Sequence, residues 1–262
     1  MKKVSLFVNH NDKAQKVATL LEKELLNQNF VFSKKPEIGI SVGGDGAFLR
    51  MVKKCKFDTK LYYVGINAGT LGFLQEIDVN RMKDFVERLS REDYKIEQIN
   101  LIEIIVTTKE KRYVLTALNE IVVRNQSFRT VKLNVQIDRE LLEHYVGDGI
   151  LISSSTGSTA YNMSFGGAIV YNTLDTLQIT PIAPIKNKVY QTLANSLIVP
   201  SDKHISLIPE NDEQDFFLSL DGVSHIYKNV TNIEVKVSSK KLNVIRMQDF
   251  HFIRVVREKL LD

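Results

Sequence analysis

The chain has 262 residues, 44% of them hydrophobic and 25% charged, and its 35 basic and 31 acidic side chains give a formal charge of +4. This composition is typical of globular proteins and excludes disordered and collagen-like chains, while a single cysteine, Cys55, excludes a disulfide scaffold. The charge is too small to predict nucleic-acid binding, and the sequence shows no signal-peptide pattern and no long apolar run. We expect a cytoplasmic protein with neither a membrane nor a nucleic acid as partner.

The first hundred residues alternate between short apolar segments and amphipathic helical patterns. The predicted strands are Val4–Val8, Ile38–Val42 and Leu61–Ile66. Helical patterns follow Asp12, Gly46 and Val79, with apolar residues three or four positions apart. Alternating strands and helices indicate a parallel sheet, so residues 1–100 are predicted to form an α/β domain with a parallel sheet.

From about residue 100 onward, short segments rich in β-branched residues are separated by polar turns. This pattern is typical of antiparallel sheets and predicts a mostly antiparallel β domain over residues 101–245. Residues 246–262 form a tail whose pattern fits either a strand or a helix. Packing of this tail on the N-terminal domain is one alternative.

Glycine is concentrated in two parts of the chain. Of 13 glycines, seven lie between Gly39 and Gly72 and five between Gly147 and Gly167. Because glycine lets a backbone or a ligand approach closely, this clustering indicates two specialised loops. The functional residues are therefore expected near these two windows.

The first window contains Gly43-Gly44-Asp45-Gly46 at the carboxyl end of a predicted parallel strand. Ligands bind at such strand ends, and the N-terminus of the helix that follows favours a phosphate. The alternative is a tight turn in which Asp45 caps the helix, a common role of aspartate. The Walker A and dinucleotide-binding glycine patterns are absent from the sequence.

Two further side chains lie near this loop in the sequence. Arg50, one helical turn after Gly46, either reaches an anionic ligand or is a solvated helix residue. Phe73 ends the glycine-containing segment after the next strand. Its ring either stacks on a ligand or, as we favour, packs in the core.

The second window joins Gly147-Asp148-Gly149 to Ser153–Thr159, which carries six hydroxyl side chains. Hydroxyl groups suit a ribose, a phosphate or an adenine edge. The alternative is a hydrophilic loop that caps the helix predicted to begin at Ala160.

An amide and a carboxylate, Asn119 and Glu120, lie next to each other inside an apolar segment. Burial of such a pair is costly unless both side chains are hydrogen-bonded. The vicinal hydroxyls of a ribose would satisfy both side chains. The alternative is a buried pair that is satisfied internally.

Taken in order, these motifs resemble those of the NAD kinases. The matching segments are Ser41–Arg50, Asn67–Phe73, Leu118–Ile121, Gly147–Gly149, Thr156–Tyr161 and Leu220–Gly222. The glycine loop alone is shared with phosphofructokinases and diacylglycerol-type lipid kinases, but the ordered set is specific. The compact length is similar to that of the small bacterial forms, and Ala47, Val146 and Val223 depart from the commoner family pattern.

The resemblance implies an enzyme that phosphorylates the 2′-hydroxyl of the adenosine ribose of NAD to give NADP. The implied donor is ATP or polyphosphate, the implied cofactor is a divalent metal, Mg²⁺, with unknown ligands, and the implied assembly is a homodimer or homotetramer. Asp45 is implied as the catalytic base. The motifs and the resemblance together give the binding residues as Asp45, Gly46, Arg50, Phe73, Asn119, Glu120, Asp148, Thr156, Gly157, Ser158, Thr159, Ala160, Tyr161, Ser164 and Ala183.

The resemblance also divides NAD among these residues. Asn119 and Glu120 are implied to hold the nicotinamide ribose, and Asp148 to contact the nicotinamide end. Thr156–Tyr161, with Ser164, is implied to surround the adenine and its ribose, and Ala183 to offer a backbone contact.

Two other functions share part of this pattern. A diacylglycerol-type lipid kinase has the same glycine loop but needs an apolar cleft, whereas the second window here is polar. A non-catalytic dinucleotide-binding module would bind NAD without turnover and would not need Asp45.

Overall fold

The computed structural model describes residues 2–69, 72–127, 129–211 and 214–261. The chain divides into two compact units. The first unit comprises Met1–Ile99 and Lys241–Asp262, and the second comprises Asn100–Lys240. The sequence places the corresponding domain limits at residues 101 and 245. No helix in the described part of the chain is both long and apolar enough to span a membrane.

Short helices and many strands make up the described residues. The helices are α1 (Asp12–Asn27), α2 (Asp45–Lys54), α3 (Met82–Arg91), α4 (Tyr161–Ser164) and α5 (Phe252–Leu260), with 3₁₀ turns at Val79–Arg81 and Thr156–Thr159. The strands are β1 (Lys3–Val8), β2 (Val31–Phe32), β3 (Ile38–Gly43), β4 (Tyr62–Asn67), β5 (Ile77–Asp78), β6 (Lys95–Thr108), β7 (Arg112–Ala117), β8 (Glu120–Asn125), β9 (Val131–Ile137), β10 (Glu140–Ser154), β11 (Thr176–Pro184), β12 (Leu197–Pro200), β13 (Ile205–Pro209), β14 (Gln214–Leu220) and β15 (Val223–Arg246).

In the first unit the strands run in the order β2-β1-β3-β4, and each neighbouring pair is parallel. Strand β5 and the end of β15 also pair in parallel with β4. The register sets Gly43, the last residue of β3, beside Asn67, the last residue of β4. The loops that leave these two strands therefore begin side by side, which places the first glycine window at one end of the sheet.

Helix α1 shows why the predicted period holds in this unit. The Asn11 side chain caps the helix by accepting a 2.8 Å hydrogen bond from the Ala14 N–H. The helix buries one face, and its buried residues are Ala14, Val17, Ala18, Leu21 and Leu25. Those are the residues whose spacing predicts the helix.

The C-terminal tail is helical rather than extended. Helix α5 buries Phe252 and Val255, which form a small apolar cluster with Phe73. The ring centroids of Phe73 and Phe252 lie 6.1 Å apart. The tail therefore packs on a loop of the first unit, which comes from a distant part of the sequence.

In the second unit, antiparallel pairs close into a ring in the order β8-β10-β9-β13-β15-β14 and back to β8. A closed ring leaves these strands without free edges. Its interior holds the largest apolar core of the unit, which includes Tyr145 and Phe216. Strands β11 and β12 extend the sheet from β10.

The helix predicted to begin at Ala160 is much shorter in the structure than expected. The segment first forms a 3₁₀ turn over Thr156–Thr159, and α4 then lasts for a single turn. The reason is local, because glycine and short hydroxyl residues have weak helix propensity and bond to nearby backbone groups instead.

A buried ion cluster lies in the first unit near the end of β15. The Arg246 guanidinium contacts Glu97 and lies 3.5 Å from a Glu76 carboxylate oxygen, and Arg246 is 5% exposed. Glu76 also accepts a 2.9 Å hydrogen bond from the Met247 N–H. Burial raises the pKa of Glu76 to about 7, although Arg246 opposes this shift. The guanidinium therefore compensates carboxylates that the fold has largely removed from water.

We expect Arg246→Met to lower the free energy of unfolding by about 3–5 kcal/mol, because it leaves the buried carboxylates without their cation. Urea unfolding followed by circular dichroism measures this loss. The exposed Arg91 gives the control, Arg91→Met, which should cost far less. An equal loss of unfolding free energy in the two variants would contradict the role of Arg246 as the cation that compensates the buried carboxylates.

Candidate active site

Asp45 is the first residue of α2 and immediately follows the loop that leaves β3. Its carboxylate accepts two backbone hydrogen bonds, from the Phe73 N–H at 3.0 Å and from the Leu74 N–H at 2.9 Å. A Cβ atom at Gly72 would overlap this carboxylate, so the position requires glycine. The helix-cap alternative for Asp45 is wrong, because Gly44 occupies the cap position and the Asp45 side chain turns towards the 72–74 segment.

A lysine that sequence reasoning missed also contacts Asp45. The Lys259 Nζ atom of α5 lies 3.3 Å from Asp45 Oδ2 and 4.7 Å from the centroid of the Phe73 ring. The two residues of the ion pair are 214 positions apart. No local pattern could have revealed this contact, because it exists only once α5 packs on the loop.

A buried glutamine, Gln75, forms hydrogen bonds to the strand end and the glycine loop that precede Asp45. Gln75 donates hydrogen bonds to the Ser41 hydroxyl at 3.0 Å and to the Gly44 carbonyl at 2.9 Å. Its side chain is fully buried. The backbone of the 72–75 segment thus bonds to the Asp45 side chain, and the Gln75 side chain bonds to the backbone of the Asp45 loop. Together these hydrogen bonds hold the carboxylate in one orientation.

Of the two other predicted residues near this loop, Arg50 is exposed and Phe73 is buried. Arg50 is exposed and donates a 2.9 Å hydrogen bond to the Asn9 side chain, with its guanidinium beside Gly46. Phe73 is 9% exposed and packs on Phe252, as the core alternative states. Its backbone N–H, rather than its ring, serves Asp45, and a contact of the ring with a ligand stays a prediction.

In the second unit an aspartate plays a comparable part. The Asp221 carboxylate accepts hydrogen bonds from the N–H groups of Leu118, Asn119 and Glu120, at 2.8, 2.7 and 3.3 Å. These bonds set the backbone from which the Asn119 and Glu120 side chains project. The Leu220–Gly222 motif was visible in the sequence, but nothing in it indicated this partner.

Asn119 and Glu120 are buried, at 5% and 6% exposure. Among the described residues, the Asn119 Oδ1 and Glu120 Oε2 atoms have no hydrogen-bond partner. Burial, and then the nearby Asp221 carboxylate, raise the pKa of Glu120 to about 8. The internally satisfied pair is therefore not what the structure shows, because each side chain keeps one buried acceptor atom without a partner among the described residues.

The hydroxyl-rich segment lies against the same backbone. The Ser154 hydroxyl donates to the Leu118 carbonyl at 2.7 Å and accepts from the Gly157 N–H at 3.1 Å. A Cβ atom at Gly157 would overlap the Asn119 carbonyl. This close approach brings the Asn119-Glu120 motif and the Thr156–Tyr161 motif together in the second unit.

The predicted residues of the hydroxyl segment differ in exposure. The Ser158 hydroxyl is fully buried and already bonded to both the N–H and the carbonyl of Val170. Four others are half-buried or exposed, namely Thr156, Thr159, Ala160 and Ser164. The half-buried and exposed residues can meet a ligand through their side chains, whereas Ser158 supports the loop.

Tyr161 and the Asp148–Ala183 pair complete the predicted residues. The Tyr161 side chain is 44% exposed, and its ring meets the Phe165 ring edge-on at 4.8 Å. Asp148 is exposed, and the register of β10 and β11 sets it opposite Ala183, which has a positive φ of 44°. Tyr161 is thus not a core residue.

The described residues do not form a metal cage of their own. They contain no group of three or more His, Cys, Asp or Glu side chains that could hold an ion. The Asp45 carboxylate is already bonded to two N–H groups and an ammonium. The described residues therefore do not fit a resident divalent metal.

We expect protein stability to fall between about pH 4.5 and pH 8, because unfolded Glu120 loses its proton near 4.5 and folded Glu120 near 8. Over that range the folded state binds more protons than the unfolded state. Glu120→Gln removes this loss, so the variant should gain up to about 5 kcal/mol over the wild type at alkaline pH and little at acid pH.

Thermal unfolding across this pH range measures the difference. The exposed Glu140 supplies the control, since Glu140→Gln should leave the pH dependence unchanged. Parallel curves for the wild type and Glu120→Gln would contradict the raised pKa of Glu120.

Comparison with known proteins gives the same two parts. A family model of the ATP-NAD kinase N-terminal domain matches residues 4–94, and one of the ATP-NAD kinase C-terminal domain matches residues 118–247. An NAD kinase of Finegoldia magna is 38% identical over 268 residues, covering 98% of this chain and 97% of that protein. An NAD kinase of Streptococcus gordonii is 33% identical over 251 residues, covering 93% and 89%.

Solved structures share the fold at lower identity. Yeast NADH kinase complexed with NADH superposes with a TM-score of 0.83 at 19% identity, covering 98% of this chain and 87% of that chain. An NAD kinase from Archaeoglobus fulgidus in complex with ATP gives a TM-score of 0.75 at 20% identity, covering 98% of both chains. With both family models matched in order over most of its length, the chain belongs to the NAD kinase family.

Proposed function

We propose that this protein is an NAD kinase that transfers a phosphoryl group to the 2′-hydroxyl of the adenosine ribose of NAD, giving NADP. The observation that carries the proposal is the Asp45 carboxylate, held by two backbone N–H groups at the end of a parallel sheet. Phosphoryl transfer depends on the positioning of its reactants more than on covalent chemistry by the enzyme. A fixed carboxylate beside a helix N-terminus meets that need.

Asp45 orients the attacking hydroxyl and accepts its proton. A carboxylate offers about four acceptor positions on its two oxygens, and three donors already occupy the Asp45 carboxylate. Among the donors of the described residues, this leaves one acceptor position on Oδ1 for the hydroxyl of the substrate. Because an aspartate is a weak base for an alcohol, orientation is its first contribution, and proton transfer follows late in the reaction.

Asn119 and Glu120 hold the nicotinamide ribose. Their buried acceptor atoms lack partners within the described residues, and a vicinal diol would supply two O–H donors. With its pKa near 8, Glu120 keeps a proton at neutral pH and can also donate to a ribose oxygen. The same residues thereby favour a sugar over an anionic ligand.

The remaining predicted residues take the two ends of NAD. Thr159, Tyr161 and Ser164 contact the adenine and its ribose, since each exposes side-chain atoms beside the 3₁₀ turn. Asp148 and Ala183 contact the nicotinamide end, where β10 and β11 place them opposite each other. Arg50 and Gly46 contact phosphate at the N-terminus of α2.

The phosphate donor is ATP or another polyphosphate. ATP is bound in the Archaeoglobus fulgidus relative, and this supports a nucleoside triphosphate here. A divalent metal bound to the donor phosphates, a common arrangement in kinases, would neutralise part of their charge.

We infer an α/β first domain with a parallel sheet, a mostly antiparallel β second domain, and a tail, residues 246–262, that packs on the first domain. The parallel strand pairs of one unit and the antiparallel pairs of the other support this architecture. The homodimer or homotetramer rests on the family resemblance, and the cytoplasmic location stays an expectation from the sequence. The family comparison does not favour a lipid kinase.

Incubation of the purified protein with NAD, ATP and Mg²⁺ should yield NADP. We expect Asp45→Asn to lower kcat on the order of 10²–10⁴-fold, while the affinity for NAD changes little, because the amide cannot accept the hydroxyl proton. Asp12→Asn gives a matched control, since Asp12 is likewise the first residue of a helix and is exposed. Activity of Asp45→Asn within about tenfold of the wild type would remove Asp45 from this role.

Calorimetry of Tyr161→Ala tests the adenine site. Stacking on an aromatic face contributes on the order of 1–3 kcal/mol per base, so affinity for NAD should fall about 5- to 150-fold. Tyr161→Phe keeps the ring and should bind nearly as tightly as the wild type. If Tyr161→Ala binds NAD normally, the adenine lies elsewhere.

A further inference from the structure

Lys259 occupies a position that neither the family match nor the sequence motifs explain. It lies in the last turn of α5, beyond residues 4–94 and 118–247, which the family models match. Its ammonium nevertheless lies 3.3 Å from an oxygen of Asp45. The last helix of the chain thus reaches the side chain on which the proposed reaction depends.

The Lys259 ammonium is itself held in place. It lies 4.7 Å from the centroid of the Phe73 ring, a distance at which a cation is attracted to an aromatic face. Phe73 in turn packs on Phe252, which is buried in the same helix as Lys259. The apolar contact of α5 with the loop therefore fixes where the cation stands.

The three donors on Asp45 divide unequally between its oxygens. Within the described part of the chain, Oδ1 accepts only the Leu74 N–H, whereas Oδ2 accepts the Phe73 N–H and also faces the Lys259 ammonium. Removing the ammonium would leave both oxygens with one donor each. The carboxylate would then lose the contact that distinguishes one oxygen from the other.

A role in helix stability alone does not account for this contact. A cation in the last turn of a helix is favoured by the helix dipole, but Arg257, in the same turn, already supplies one. The Lys259–Asp45 pair is partly exposed, with side-chain exposures of 31% and 28%, and such pairs contribute little to stability. The expected consequence of the contact is therefore kinetic.

We propose that Lys259 is a positioning residue for phosphoryl transfer: its ammonium holds Asp45 Oδ2, so that Oδ1 presents its free acceptor position to the substrate hydroxyl. This inference rests on the proposed function and extends it to a residue outside the family motifs. Lys259 acts through Asp45, so its loss should change turnover more than substrate binding.

Steady-state kinetics of the full chain test this role with Lys259→Gln, Lys259→Arg and the control Arg254→Gln. Arg254 is an exposed cation of the same helix, so its variant loses the same charge. We expect Lys259→Gln to lower kcat roughly 10- to 100-fold, a size typical of misplaced catalytic groups, with KM for NAD within about threefold. Lys259→Arg should restore most of the loss, and Arg254→Gln should behave like the wild type.

Each other outcome overturns the proposal in a recognisable way. A wild type that makes no NADP removes the proposed function, and the role of Lys259 falls with it. An active wild type with unchanged or increased kcat in Lys259→Gln removes Lys259 alone, and an increase would identify an inhibitory contact. A loss that Lys259→Arg does not rescue, or that Arg254→Gln shares, would mark a structural effect, which thermal unfolding of the same variants would register.

Discussion

The hydrogen bonds from the Phe73 and Leu74 N–H groups to Asp45 are the interaction on which the first unit's site depends. They tie the loop after β3 to the loop after β4, two segments that the parallel register already starts side by side. They also explain the glycine at position 72, where a Cβ atom would occupy the space of the carboxylate. The position of the negative charge is thus fixed by backbone N–H groups, which rearrange less easily than a pair of flexible side chains would.

The second unit repeats this device with different chemistry. Asp221 accepts hydrogen bonds from the N–H groups of residues 118–120. The Asn119 and Glu120 side chains on this backbone each have one buried oxygen without a partner among the described residues. In the proposed reaction the bonded carboxylate of the first unit contacts the substrate hydroxyl, whereas the one in the second unit supports neighbouring residues that are proposed to bind the ligand. A cost accompanies this arrangement, because Asp221 contributes to the raised pKa of Glu120. Such costs are common where a site is built for a ligand rather than for stability.

Sequence reasoning succeeded where the determinants are local. The apolar period of α1 reflects short-range geometry, and the structure has a helix there. The glycine windows around Asp45 and Gly157 marked where close approaches occur, although their partners, such as Asn119 at Gly157, are distant in sequence. Sequence reasoning failed where the determinants are distant in sequence. Lys259, Asp221 and Gln75 each contact residues more than 30 positions away, and no period or motif encodes such contacts. The tail was undecided for the same reason, because its apolar residues match either period until Phe73 gives them a partner.

The order of the chain has a consequence for how the molecule is made. The first unit is interrupted, since Asn100–Lys240 separates its α/β part from the strand end and helix that complete it. Arg246 reaches Glu97 across that interruption, so entry and exit of the inserted segment are joined by one buried ion pair. On the ribosome, Asp45 and its loop emerge long before α5, which follows them by about 200 residues. Helix α5 therefore completes a loop that was made much earlier, and a translation product interrupted before residue 259 would lack Lys259 even where its glycine loop had folded.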